Sequence, residues 1–225
     1  MLDEETCFVL PEKRTSQLLI YLHGIVPPRG ESVQKTNFER VVASAAKRAG
    51  VAALIPRGEQ GFAPKGHTKW WSWPTSGVAF PRQAPPFVDK LKAKREKLER
   101  TLGVHFDRVY LAGSSAGAYF VVAAALHGAL AVDGYGAMSG GANLNVKTAG
   151  SLAPRPFYIG YGKQDSVGPG ADALAKTLTH LGWPVQVRAH ATGHGAREVY
   201  LDEAFAFWTA ARDPAPDSDG RSRSD

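Results

Sequence analysis

The stretch Val109-Tyr110-Leu111-Ala112-Gly113-Ser114-Ser115-Ala116-Gly117 sets two adjacent serines between two glycines, directly behind a strand-forming run. Within it, Gly113-Ser114-Ser115-Ala116-Gly117 matches G-x-S-x-G with Ser115 at the centre, the pattern of a sharp strand-to-helix turn that lifts a hydroxyl above a sheet. Glycines on either side let strand and helix approach without Cβ clashes. The serine then lies at the amino end of a helix, where unpaired N–H groups and the dipole favour developing negative charge. Gly and Ser also make ordinary turns, so Ser114 and Ser115 acquire meaning only through partners elsewhere in the chain.

A serine hydroxyl is a poor nucleophile at neutral pH and needs a base, usually an imidazole oriented by a carboxylate. Of the 7 histidines, His194 in Ala191-Thr192-Gly193-His194-Gly195-Ala196 lies just past one strand-like run and just before the last helix-like one. Its plainer reading is a loop histidine beside glycines. In Tyr161-Gly162-Lys163-Gln164-Asp165-Ser166-Val167, Asp165 follows another strand-like run, and its other reading is to cap the helix that comes next. Asp172 falls on that helix and Asp133 opens a strand at the opposite edge, which disfavours both. Acyl transfer also needs two N–H donors aimed at a tetrahedral oxyanion. One is expected from Ala116, directly after the serine. The other belongs to the turn His23-Gly24-Ile25, on Ile25 first and on Gly24 second.

The elements that must position these residues follow from periodicity and from Gly and Pro punctuation. Strands are expected at 17–22, 51–55, 108–112, 132–138, 155–161 and 185–189, and helices at 38–49, 86–102, 116–130, 170–181 and 196–211. Strands alternating with helices at this spacing predict an α/β domain, a parallel sheet covered on both faces, with ligands beyond the carboxyl ends of the strands. Ser115, Asp165 and His194 all fall at that edge. The segment 57–86 is dense in Gly, Pro and Trp and without period, a long loop of the kind that is commonly functional. Its Trp70, Trp71 and Trp73 either form an aromatic wall for substrate beside Ser115 or anchor the loop to the body of the domain.

Tyr21-Leu22-His23-Gly24, Gly113-Ser114-Ser115-Ala116-Gly117, Gly162-Lys163-Gln164-Asp165-Ser166-Val167 and Gly193-His194-Gly195 together resemble the α/β-hydrolase superfamily. Within it the chain looks like the small, lidless esterases of the phospholipase/carboxylesterase and acyl-protein thioesterase type, with polyhydroxybutyrate-depolymerase-like esterases as near relatives. The resemblance spans about 17–211. It implies an α/β-hydrolase fold without a separate cap domain, with Ser115 as nucleophile, His194 as base and Asp165 as its orienting acid, in the chain order Ser, Asp, His. It further implies hydrolysis of a carboxylic ester or thioester through an acyl-enzyme, on a small-molecule or polymeric substrate, with no metal or organic cofactor. His23 is then a packing and hydrogen-bonding residue. Thioesterase-type relatives often continue His-Gly with a further Gly-Asp, whereas this chain continues with Ile25-Val26-Pro27-Pro28, so its oxyanion loop is shaped differently. The short lead before His23 implies that the earliest strands of larger members are absent or reduced.

Length and composition narrow the remaining classes. At 225 residues and 44% hydrophobic content, one core over 1–212 is expected, with a Pro-, Ser-, Asp- and Arg-rich disordered tail at 213–225. No stretch reaches the roughly 20 apolar residues of a membrane span. The acidic start Met1-Leu2-Asp3-Glu4-Glu5 is unlike a secretory leader, which leads to an expectation of a cytoplasmic protein. Cys7 is the only cysteine, so no internal disulfide forms. A net charge of +6 invites a nucleic-acid reading, but much of it lies between Lys90 and Arg100 on one amphipathic helix whose cations face solvent, so no nucleic-acid partner is expected. The other readings are a peptidase or acyltransferase with the same triad, and a non-catalytic binding protein with a basic surface. The oligomeric state is left open.

Overall fold

Residues 1–28, 32–141 and 153–211 are described by the computed structural model; the tail at 213–225 and the connection at 142–152 lie outside the described residues. The elements are Thr6–Val9 (β1), Gln17–Leu22 (β2), Val33–Ala49 (α1), Ala52–Pro56 (β3), Phe80–Gln83 (α2) and Pro85–Leu102 (α3). There follow Arg108–Ser114 (β4), Ala116–Leu126 (α4), Gly134–Met138 (β5), Phe157–Gly162 (β6), Gly168–His180 (α5), Val185–His190 (β7) and Glu198–Ala210 (α6). Two of them, β1 and α2, carry no sequence periodicity. β1 is a four-residue edge strand made by antiparallel pairing with β3, and α2 is a single turn inside the Trp-rich loop. α4 stops at Leu126, before the expected Leu130, because Gly128 turns the chain out at φ 59°.

The sheet order is β1-β3-β2-β4-β5-β6-β7, with every pairing parallel except β1 with β3. Side chains alternate across it. Leu18, Ile20, Leu22, Leu111, Phe157 and Ile159 face the layer of α3, α4 and α5, while Leu19, Tyr21, Tyr110, Ala112 and Tyr158 face α1 and α6. Both faces are thus covered, which is why the central strands read as near-continuous apolar runs. α4 is buried at every residue but Tyr119, because it lies across β4, β5 and β2 behind the Ser115 turn.

Three of the six cations of α3 are spent on the leader of β1. Lys94 Nζ lies 2.7 Å and Lys97 Nζ 3.3 Å from Asp3 Oδ2, and Lys90 Nζ lies 3.0 Å from Glu5 Oε2. Burial alone would raise the Asp3 carboxyl, but the Lys94 hydrogen bond, with others from the Glu5 N–H and Lys97, holds it well below the usual carboxylate range. This contribution to stability is complete above the usual carboxylate pKa and is lost progressively as the pH falls below it. No helix among the described residues is long and apolar enough to cross a membrane.

β3 lies on one side of β2 and β4 on the other, so the chain reverses its direction of progress between them. In open α/β sheets that switch point, at the carboxyl ends, is where ligands bind. Further along the same edge the ends of β6 and β7 are locked together: the Lys163 N–H donates to His190 O at 2.7 Å and the Gln164 N–H to Thr192 O at 3.1 Å. Gly162 makes this possible, since a Cβ there would fall inside the contact shell of the Thr192 carbonyl and 2.8 Å from Gly193 O. Gly162→Ala is expected to destabilise the protein by about 1–3 kcal/mol. Gly193→Ala, where an added Cβ meets nothing within 4 Å, should stay within about 0.5 kcal/mol; paired denaturant melts check both.

Candidate active site

β4 ends at Ser114, α4 begins at Ala116, and Ser115 between them has φ 52° and ψ −119°. A non-glycine residue in this region costs on the order of 1–3 kcal/mol and persists only where its surroundings over-determine it. Here they do. The Ser115 N–H donates to Met138 O at 3.0 Å. A Cβ on Gly117 would sit 2.6 Å from the Leu22 carbonyl carbon and 2.7 Å from His23 O, and one on Gly113 would sit 2.7 Å from the Gly117 carbonyl carbon. The two glycines of G-x-S-x-G therefore let β2, β4 and α4 meet backbone to backbone. Ser114 is 4% exposed and points into the core, so it must be small; Ser115 is half-buried.

Asp165 and His194 meet as their strand ends require: His194 Nδ1 lies 2.9 Å from Asp165 Oδ2. The Asp165 side chain is 3% exposed and the His194 side chain 53%, so a shielded acceptor holds a ring that opens to solvent. A carboxylate only accepts, so Nδ1 carries the proton and Nε2 is left as the basic nitrogen. The other carboxylate oxygen, Oδ1, accepts the Val167 N–H at 3.3 Å. Asp165 therefore both supports the turn before α5 and orients His194. No hydrogen bond among the described residues joins Ser115 Oγ to His194. Asp133 instead accepts the Val109 N–H at 2.8 Å at the opposite edge, and Asp172 accepts from Tyr161 OH at 3.3 Å.

Around Ser115 the candidate N–H donors come from two segments. Ala116 is the first residue of α4, so its N–H has no partner within the helix. Gly24 lies against the serine: a Cβ there would be 3.1 Å from Ser115 Cβ and 3.7 Å from Ser115 Oγ. The next N–H but one, that of Val26, is taken by Trp71 O at 3.0 Å, which leaves Gly24 and the half-buried Ile25 as the donors of this turn. His23 holds the turn from beneath. Its Nδ1–H donates to Gly24 O and its Nε2 accepts the Gly58 N–H at 2.9 Å, with the ring stacked on Phe38. Burial, aided by the Arg57 charge against the Gly24 hydrogen bond, pushes the His23 imidazole down to about 4, so it is neutral and makes both bonds at once.

The three tryptophans separate. Trp73 is 1% exposed among Phe87 and Phe120, and its Nε1–H donates to His23 O at 2.9 Å, so it anchors the loop to the turn behind Ser115. Trp71 exchanges backbone hydrogen bonds with Val26 and carries the Arg57 guanidinium 4.1 Å above its ring. Trp70 stands edge-on to His67 and lines a groove with Pro27 and Pro28. One residue with no motif to mark it joins the site: Ser139, just past β5, bonds Gly195 beside His194. Its position at a strand's carboxyl end is the only signal in the sequence. Among the described residues no group of three His, Cys, Asp or Glu side chains is placed to hold a metal ion.

This arrangement of sheet and strand ends is the α/β-hydrolase fold. No family model matches the sequence, and no curated protein matches it. Solved structures do. A structure of esterase PE8 superposes with a TM-score of 0.63 at 17% identity, over 91% of this chain and 97% of its own. The Bacillus cereus carboxylesterase gives 0.63 at 17% identity over 92% and 93%, and Arabidopsis thaliana SOBER1 gives 0.61 at 16% identity over 86% and 97%.

Two outcomes follow from this geometry. Ser115→Gly relieves the backbone and should raise stability by about 1 kcal/mol, whereas Ser115→Ala should leave it unchanged; thermal unfolding of the pair distinguishes strain from side-chain loss. Between pH 6.5 and about 4 the unfolded chain protonates His23 while the folded one does not. Its contribution is therefore complete above pH 6.5 and lost on acidification at about 1.4 kcal/mol per pH unit. His23→Gln should flatten the pH dependence of unfolding in that window by this amount.

Proposed function

We propose that the protein is a serine hydrolase that cleaves carboxylic ester or thioester bonds through an acyl-enzyme. The observation that carries the reading is the Asp165–His194 pair, at 2.9 Å, on the same sheet edge as a serine held at φ 52° on a strand-to-helix turn. Nothing in packing alone calls for a serine in that conformation, where glycine would be less strained.

In this mechanism Ser115 Oγ attacks the carbonyl carbon while His194 Nε2 takes its proton. The oxyanion is stabilised by the N–H of Ala116 and by that of Ile25 or Gly24, donors fixed in advance and worth a few kcal/mol each. Asp165 keeps the ring in the tautomer that can accept, and stabilises the imidazolium that forms. Collapse breaks the carbonyl–oxygen or carbonyl–sulfur bond, and His194 returns the proton to the leaving group. Water, deprotonated by His194, then attacks the acyl carbon; the bond to Ser115 Oγ breaks, His194 returns the proton to Oγ, and the acid leaves. His23, buried and neutral, transfers no proton; it sets the turn that carries Gly24 and Ile25. No cofactor enters any step.

The half-buried Ser115 and the exposed His194 ring suit an open site that admits bulky or polymeric esters. The names of the structural neighbours point the same way: they include an esterase, a carboxylesterase and a fluorophosphonate-binding serine hydrolase of Staphylococcus aureus. The α3 cations paired with Asp3 and Glu5 weigh against a basic surface as the purpose of the protein.

Ser115→Ala is expected to abolish hydrolysis of p-nitrophenyl butyrate, by roughly a million-fold, with the melting temperature unchanged, while Ser114→Ala stays close to wild type. A fluorophosphonate probe should label the wild type, with the adduct mapped to Ser115. Full turnover by the Ser115→Ala variant, or an unlabelled wild type, would refute the assignment.

A further inference from the structure

We infer that Ser139 is a positioning residue for His194, coupling the histidine loop to the Ser115 turn; this rests on the hydrolase reading above. Ser139 is the first residue past β5, the strand that lies between β4, which leads to Ser115, and β6, which leads to Asp165. Ser139 is 1% exposed. Its hydroxyl makes two bonds to one residue, donating to Gly195 O at 3.2 Å and accepting the Gly195 N–H at 3.3 Å. Gly195, the residue after His194, has φ 119°, a conformation reserved for glycine. A single hydroxyl thus grips both polar groups of the residue on which the His194 loop turns.

Two further features give the grip its purpose. Among the described residues, Ser115 and Ser139 are the two non-glycine residues with positive φ, at 52° and 48°. Glycine would fit Ser139's backbone with less strain, yet a serine stands there and its hydroxyl both donates and accepts. The segment around it also touches the other half of the site. Met138 O accepts the Ser115 N–H at 3.0 Å, and a Cβ on Gly140 would sit 2.7 Å from Ser115 O. Ser139 itself is tied to β6 by its N–H, which donates to Gly160 O at 2.9 Å.

The His194 ring needs such a hold. It is more than half exposed, and among the described residues Asp165 makes its one side-chain hydrogen bond, at Nδ1. The loop before it is tied at Thr192, which bonds Gln164 and Tyr200; without a hold on the Gly195 side the ring could pivot about its one bond to Asp165, and Nε2 would drift relative to Ser115 Oγ. Arg197 reaches the carbonyls of His194 and Ala196 at 3.3 and 3.1 Å, from the start of α6. Met138 and Ser139, adjacent in the chain, bond to the Ser115 turn and to Gly195 respectively. Productive proton transfer tolerates displacements of only a fraction of an ångström, and about 1 Å of misplacement costs on the order of 100-fold in rate.

The test compares Ser139→Ala and Ser139→Gly with wild type in p-nitrophenyl butyrate hydrolysis, alongside thermal unfolding and a double-mutant cycle with His194→Ala. Both single variants should lose about 100-fold in kcat with KM changed little, although Ser139→Gly, freed of the strained backbone, melts no lower than Ser139→Ala. In the His194→Ala background, where there is no base left to position, either substitution should cost less than about twofold. If kcat instead recovers with stability in the glycine variant, or if Ser139→Ala costs the same with and without His194, the hydroxyl is structural and the inference is overturned. Should Ser139→Ala fail to fold, Ser139→Gly alone carries the cycle. The two readings fail separately: hydrolysis that depends on Ser115 but not on Ser139 overturns the inference only, while hydrolysis independent of Ser115 overturns the hydrolase reading.

Discussion

The site hangs on a contact between two backbones. Gly117, in the first turn of α4, lies against the carbonyls of Leu22 and His23 at the end of β2, at a separation that leaves no room for a Cβ. This contact brings the helix amino end, the Ser115 turn and the Gly24–Ile25 turn into one place, with no side chain between them to flex. Because main-chain groups line it, the geometry is set by the sheet register of β2 with β4, from Gln17 opposite Arg108 to Leu22 opposite Gly113. A register fixed by buried side chains on both faces cannot slip by one residue without turning the core to solvent.

Such closeness has to be supported from behind, and the support is unusually polar for a core. His23 bonds Gly24 on one side and Gly58 on the other, and Trp73 bonds the His23 carbonyl. Both ring nitrogens of the buried His23 and the indole N–H of the buried Trp73 find partners, which is the condition under which buried polar groups rigidify instead of destabilise. The imidazole can serve only while neutral, and burial keeps it so. A histidine beside the Ser115 turn is thus scaffold, and a histidine on a solvent-facing loop, His194, is the one with a free basic nitrogen.

Much of the arrangement is legible in the residues because it obeys local rules. Apolar runs with Gly and Pro stops locate the five parallel strands from β2 to β6 and the edge strand β7 within two residues or so, since a strand buried on both faces has to be apolar throughout. G-x-S-x-G marks Ser115 because a strained turn needs glycine at fixed offsets. What escapes is what depends on a partner distant in sequence. β1 becomes a strand only because the edge of β3 is open to it, and its leader is held by Lys90 and Lys94 some 90 positions away. The tryptophans of 70–73 are alike in sequence, yet Trp73 is core while Trp70 faces a groove. Which of them faces inward depends on how the loop pairs with Val26 and on the space left by Phe87 and Phe120.

By itself, then, the sequence determined the sheet, its covered faces, and which strand ends carry Ser115, Asp165 and His194, because those features follow from periodicity and from steric demands on neighbouring residues. Only the tertiary structure decided that Asp165 presents one oxygen to His194 and the other to its own turn, that Gly24 lies against Ser115, and that Ser139 clasps Gly195. Those are distances between groups on different strands. They depend on register and packing across the sheet, which a pattern read along one strand does not contain.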